Sequence, residues 1–248
     1  MTNIRAAIWS LSGFLMMGAV IVVRAQDKPS ASDRPIENEL KALAENVRKQ
    51  APDAAQVFAD GIREVASSDI VERAPKVGDK IKLFDLPDAS GGMVKLADLL
   101  AKGPVVLTWY RGGWCPYCNI SLRGLLKAEP MIREQGATLV AVTPEIPDAV
   151  AETTKTNGLT FAVLTDKGNA VARQYKILYK VPAKVSAAMK SFKVDLAKVN
   201  GDTSDELPLS VLYVIDRGGI IRWAFVDADY RKRAEPADVI EALRSLKQ

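Results

Sequence analysis

Histidine is absent from the 248-residue chain. That absence excludes a Ser-His-Asp triad, a Cys-His dyad, a His-carboxylate iron site and any His-bearing zinc site. Cysteine is scarce as well. The two that occur, Cys115 and Cys118, cannot supply a four-cysteine metal site within one chain. No charge dominates: 34 Lys and Arg against 30 Asp and Glu leave a net +4, with the positives scattered. Nothing in that pattern makes the basic stripe a nucleic-acid-binding face needs. Apolar residues are plentiful at 48 %, with 26 % charged, which is the profile of a folded globular chain of one or two domains.

The start of the chain reads as a targeting segment. Met1–Arg5 carries one Arg, Ala6–Val23 holds no charge, and Val23-Arg24-Ala25 places small or apolar residues where a signal peptidase cuts. Two readings stand: a signal peptide removed after Ala25, or an uncleaved anchor over residues 6–23, since 18 residues is the lower limit for a bilayer span. Either one exports the remainder, to a periplasm or to the outside, and membrane contact is expected only for the uncleaved form. Loss of residues 1–25 takes away Arg5 and Arg24 and no acid, leaving +2 and no charge argument for a polyanionic partner.

After a polar linker over 26–35, helical spacing begins. Ile36, Leu40, Leu43 and Val47 share one helical face, Pro52 suits the first turn of a second helix, and Ala54, Phe58, Ile62 and Val65 repeat the spacing. This predicts a helical extension over 36–73 packed on the domain that follows, 74–248, because two short helices bury too little alone. In that domain the patterns predict a short strand at 81–86, a helical turn at Leu96–Ala101 and a buried strand at 104–110. A helix at 116–135 follows, then strands at 137–143 and 160–165. A hairpin of 209–216 with 220–226 and a C-terminal helix at 237–246 complete it. The sum is an α/β fold, a mixed sheet with helices on both faces. Residues 183–206 read as an inserted polar loop region and Asp227–Pro236 as a solvated turn.

The chemistry falls at Cys115-Pro116-Tyr117-Cys118, directly after a buried strand and at the start of a helix. One helical turn separates the sulfurs, which lets them reach disulfide distance. The free N–H groups and dipole of a helix N-terminus favour a thiolate. In this context the motif reads as a redox centre. As a structural staple it would be poor, because so short a loop removes little chain entropy. Helix-dipole reasoning favours Cys115 as the attacking thiol. Around the pair, Arg111 is a candidate to stabilise a thiolate, against a solvated loop role. Trp114 is a candidate shield against water, against plain packing. Tyr117 is a candidate hydrogen-bond donor to sulfur, against a solvent-facing role. Glu145, after the next strand, is a candidate proton relay, with a solvated carboxylate the simpler reading.

Trp109-Tyr110-Arg111-Gly112-Gly113-Trp114-Cys115-Pro116-Tyr117-Cys118-Asn119, with Leu122 and Leu125, resembles the peroxiredoxin-like branch of the alkyl hydroperoxide reductase C / thiol-specific antioxidant family. Val77-Gly78-Asp79, the Phe84–Asp88 stretch, Tyr213–Arg222 and Asp229–Pro236 extend the likeness over most of 74–246. The resemblance implies a thioredoxin-like fold and thiol-dependent reduction of hydrogen peroxide or organic hydroperoxides. It also implies a thioredoxin- or glutaredoxin-type thiol as reductant, and no cofactor or metal; a homodimer stays open. The sequence departs from the family at two points. The family's Thr or Ser three residues before the attacking Cys is Cys115 here, if Cys118 attacks. Ser210 stands where relatives carry an Arg or a cis-Pro. The spacing therefore supports Cys118 as attacking thiol with Cys115 resolving, while the Pro-Tyr dipeptide and the helix dipole support Cys115. An exported thiol–disulfide oxidoreductase is the alternative function.

Overall fold

The computed structural model describes residues 34–246. The expected leader (1–25) and most of the expected linker lie outside them. Two helices open the described chain, α1 (Pro35–Gln50) and α2 (Pro52–Ala66), with Pro at the first turn of each, followed by the single turn α3 (Ile70–Arg73). The segment 81–86, expected as a strand, is largely irregular. Only β1 (Asp85–Pro87) forms, paired antiparallel with β2 (Met93–Lys95), and Lys80 makes an isolated bridge to Ile220. Then come α4 (Leu96–Lys102), β3 (Val105–Trp109), α5 (Pro116–Glu134), β4 (Thr138–Thr143), α6 (Pro147–Asn157), β5 (Ala162–Thr165), α7 (Ala170–Gln174) and β6 (Leu178–Lys180). The chain ends with α8 (Ala183–Ser191), α9 (Leu196–Asn200), β7 (Glu206–Pro208), β8 (Leu212–Ile215), β9 (Ile221–Phe225) and α10 (Pro236–Ser245).

The central sheet has the order β5-β4-β3-β8-β9, with β3, β4 and β5 parallel and β8 and β9 antiparallel. It is the expected mixed thioredoxin-like sheet, with the N-terminal helical extension present. β3 lies at its centre and all five of its residues are buried. The period-2 alternation of a strand sends Val106 to one core, with Leu122, Leu125 and Ile132 of α5 and Val239 and Leu243 of α10. Val105, Leu107 and Trp109 go to the other, where Trp109 lies 4.8 Å from the ring of Tyr175. No helix among the described residues is long and apolar enough to cross a membrane.

Residues 183–206 are not a loop. They fold as α8 and α9, and Val185, Met189, Leu196 and Leu207 form a third small core that receives Val57 and Phe58 of α2. The apolar residues of this stretch are too widely interleaved with Lys, Ser and Asp for local periodicity to show them, and it is α2 that completes their burial. Helix α6 likewise carries little apolar signal, but Pro147 opens it and Gly158, at φ +63°, closes it in the left-handed region.

Helix α1 sits against α5 at a close approach that Gly124 permits. A Cβ there would lie 2.1 Å from Cδ1 of Ile36. The α1 N-terminus is tied to the far end of the chain. The Glu37 N–H donates to Oε1 of buried Glu235 at 2.5 Å, and Arg34 pairs with Asp238 at 3.3 Å. Alanine at an exposed helical glycine normally stabilises by about 1 kcal/mol. Here Gly124→Ala is expected to bring no gain, and in an Ile36→Ala background the same change stabilises by about 1 kcal/mol. Urea midpoints of the four proteins measure that coupling directly.

Candidate active site

Strand β3 delivers Tyr110 and Arg111 to the end of the sheet, and the backbone turns through Gly112-Gly113 into α5 with Cys115 as its N-cap and Pro116 at the first turn. Gly113 is required there: a Cβ would lie 1.8 Å from Oγ1 of Thr153. The turn is pinned on both of its polar groups. The Gly113 N–H donates to Oε2 of Glu145 at 2.9 Å, and its carbonyl accepts from Nδ2 of Asn119 at 2.8 Å. Neither Glu145 nor Asn119 therefore sits idle in solvent, and Glu145 is only 2 % exposed.

Both thiols are free and almost fully covered, Cys115 at 2 % exposure and Cys118 at 0 %. Solvent exposure hardly separates them; the charge around them does. Two buried guanidiniums converge on the pair. Arg111, 3 % exposed, reaches Sγ of Cys115 at 3.8 Å, and Arg233, 9 % exposed, donates to Sγ of Cys118 at 3.3 Å. Neither arginine has a carboxylate within ion-pair distance among the described residues. Arg111 lies instead between two aromatic faces, 3.8 Å from the ring centre of Tyr230 and 5.0 Å from that of Trp114. A buried cation without an anion is costly, so a thiolate is the compensating partner the site itself offers.

Burial alone would raise both thiols. For Cys118 the hydrogen bond from Cys115, the two guanidiniums and the backbone N–H of Arg111 outweigh burial and hold it well below the usual thiol range. For Cys115, burial, the hydrogen bond it donates to Cys118 and the neighbouring negative charge push it well above that range. That pattern weighs against the helix-dipole expectation. Cys118 lies only one turn into α5, so the dipole scarcely distinguishes it from Cys115, whereas Arg233 approaches from the Cys118 side.

Arg233 is the site residue that sequence reasoning missed. It belongs to Asp227–Pro236, read there as a solvated turn. In the structure Arg233 and Glu235 of this segment are buried, one facing Cys118 and the other holding α1. A charge-rich run gives no local signal that two of its members point inward. Ser210, where relatives carry an Arg or a cis-Pro, is buried with its hydroxyl unpartnered, and no cis peptide occurs among the described residues. The guanidinium at the sulfur thus comes from a later segment of the chain. Of the other candidates, Arg111 is buried rather than a solvated loop residue. Trp114 packs on Arg111. Tyr117 is buried edge-on against Tyr230 at 5.6 Å, rather than solvent-facing or bonded to a sulfur.

A family model described as the AhpC/TSA family matches residues 77–224, and the chain belongs to that family. Within it the likeness is to peroxiredoxin-type members of the thioredoxin fold. A relative named peroxiredoxin bcp in Coxiella burnetii is 28 % identical over 103 residues, covering 42 % of this chain and 68 % of that one. The thiol-disulfide oxidoreductase ResA of Halalkalibacterium halodurans is 30 % identical over 103 residues, covering 41 % of this chain; the chain spans only 57 % of ResA's length. Among solved structures, peroxidoxin BcpB from Mycobacterium tuberculosis superposes with a TM-score of 0.55 at 20 % identity, over 70 % of this chain and 99 % of that one. The family match begins at residue 77, after the α1–α2 extension.

Glu145 supplies a pH signature. Burial raises its carboxyl to about 7, against the opposing bond from Gly113, and the Cys118 charge adds to the rise. A carboxyl raised in the folded state binds its proton more tightly there than in the unfolded chain, so its contribution to stability falls as pH rises from about 4.5 to 7. Glu145→Gln keeps an acceptor for Gly113 and removes the titration. Relative to wild type it is expected to gain on the order of 2–3 kcal/mol on going from pH 4.5 to pH 8. Urea unfolding of both proteins at the two pH values measures the difference.

Proposed function

We propose that the protein is a thiol peroxidase in which Cys118 attacks and Cys115 resolves. The observation that carries this reading is the pair of buried guanidiniums, with no carboxylate within ion-pair distance among the described residues, around a thiol held well below its ordinary range. The Cys118 thiolate displaces on the O–O bond of the peroxide. Its sulfur takes the proximal oxygen as sulfenic acid, and the departing alkoxide or hydroxide takes a proton and leaves as alcohol or water. Arg233 and Arg111 lie where negative charge passes from sulfur to oxygen and stabilise it in a dry site. Cys115, one helical turn away, then condenses with the sulfenic acid, forming the disulfide and releasing water. An external thiol restores both cysteines. Hydrogen peroxide or organic hydroperoxides as substrates, and a homodimer, are carried over from the family as part of the proposal.

Export to a periplasm or beyond belongs to the same proposal, supported by the uncharged run Ala6–Val23 and by Ala25. The second reading, a thiol–disulfide oxidoreductase acting on protein disulfides, is favoured by the ResA likeness and by the Pro116-Tyr117 dipeptide.

One equivalent of hydrogen peroxide is expected to convert the reduced protein rapidly to a species lighter by two hydrogens. Inertness to peroxide with fast reduction of insulin would establish the second reading instead. Single variants fix the order of the thiols. Cys115→Ser retains a fast-reacting Cys118 that stops at sulfenic acid and over-oxidises in excess peroxide, while Cys118→Ser reacts far more slowly, because burial holds the remaining thiol above its ordinary range. Dimedone trapping at neutral pH, followed by mass, compares the two rates.

A further inference from the structure

Cys115 lines a cavity of about 790 Å³, and Cys118 does not. Its apolar lining includes Ala44 of α1, Ala55 and Phe58 of α2, Met189 of α8 and Trp114, with Lys41, Glu45 and Arg48 of α1 among its charged residues. Phe58 and Phe192 pack against each other on one wall, with ring centres 6.1 Å apart. Helix α2 lies outside residues 77–224, so this wall belongs to the chain's own extension rather than to the part that matches the family.

We propose that this cavity is the docking site for the reductant, and that the reductant is a low-molecular-weight thiol with an apolar body. The proposal rests on the peroxidase reading for the origin of the disulfide. Three observations carry it. A disulfide is cleaved by in-line attack on one sulfur, and the sulfur whose partner is the more acidic thiol is the better target, because the lower-pKa thiolate leaves faster. Here the good leaving group is Cys118, held by Arg233, so attack falls on Cys115, the cysteine that lines the cavity. The volume is that of an ordinary small-molecule site. Cys115 is only 2 % exposed, which favours a slender thiol entering the cavity over a sulfur borne on the convex surface of a folded protein. The thiolate RS⁻ forms a bond to Cys115 as the Cys115–Cys118 bond breaks, and Cys118 departs as thiolate. A second RS⁻ then attacks the sulfur of the bound R, releasing RSSR and the Cys115 thiolate, which takes a proton. Two thiols are oxidised for each disulfide reduced.

The test compares 2-phenylethanethiol, 2-mercaptoethanol and a purified thioredoxin as reductants of the disulfide form, with re-reduction followed by mass. The disulfide is prepared with diamide, so failure to consume peroxide would sink the peroxidase reading while leaving this comparison intact. Phenylethanethiol is expected to react at least tenfold faster than mercaptoethanol, with a saturable rate, and to outrun thioredoxin. Ala59→Trp, which fills the cavity, is expected to bring the ratio of the two small thiols close to one; Phe192→Ala, which opens a wall without adding bulk, is expected to lower the same ratio. Equal rates for the two small thiols in the wild-type protein, or thioredoxin as the fastest reductant, would overturn the proposal.

Discussion

A guanidinium removed from water needs an anion or a set of acceptors to replace its hydration. Arg111 and Arg233 are both buried beside the two sulfurs, and neither has a carboxylate within ion-pair distance among the described residues. Carbonyls of Tyr230 and Lys232 hold one edge of Arg233, while aromatic faces and the Tyr179 hydroxyl accompany Arg111. Sulfur is the anion the site offers to both. In the proposed mechanism the ionised Cys118 relieves the arginines, and the same charge makes it nucleophilic. Below its depressed pKa the thiolate is lost, and with it the stability that depends on it.

The rest of the architecture serves that arrangement. β3 carries Arg111 to the sheet end, Gly113 lets the turn pass against Thr153, and Glu145 and Asn119 fix the turn that aims Cys115. The segment before α10 does two jobs within three residues: Arg233 reaches Cys118, and Glu235 accepts from the first turn of α1. Packing of the extension and charge at the sulfur are thus coupled through one short stretch. α2 and the α8–α9 insertion, which share a core, wall the cavity above Cys115.

The strand, the Cys-x-x-Cys and the helix after it were legible because each has a local signature: an unbroken apolar run at 104–110, a proline at the first helical turn, and Gly136 after the last. The N-terminal helices showed in the spacing of Ile36, Leu40, Leu43 and Val47 for the same reason. What was not legible depends on contacts between distant positions. Arg233 lies 115 residues from Cys118, among charges that all look solvated. The helices within 183–206 owe their burial to α2 rather than to their own periodicity. The proposed order of the thiols follows the same logic. Dipole reasoning weighs only the helix on which both cysteines sit, whereas Arg233 reaches Cys118 from another segment.

The most direct test of the central claim is the thiolate absorbance near 240 nm, followed as a function of pH in the reduced protein and in each single cysteine variant. The account predicts one thiolate formed well below the ordinary thiol range of about 8.5, still present in Cys115→Ser and missing from Cys118→Ser. A low-pH thiolate that persists in Cys118→Ser, or none in either variant, would contradict it.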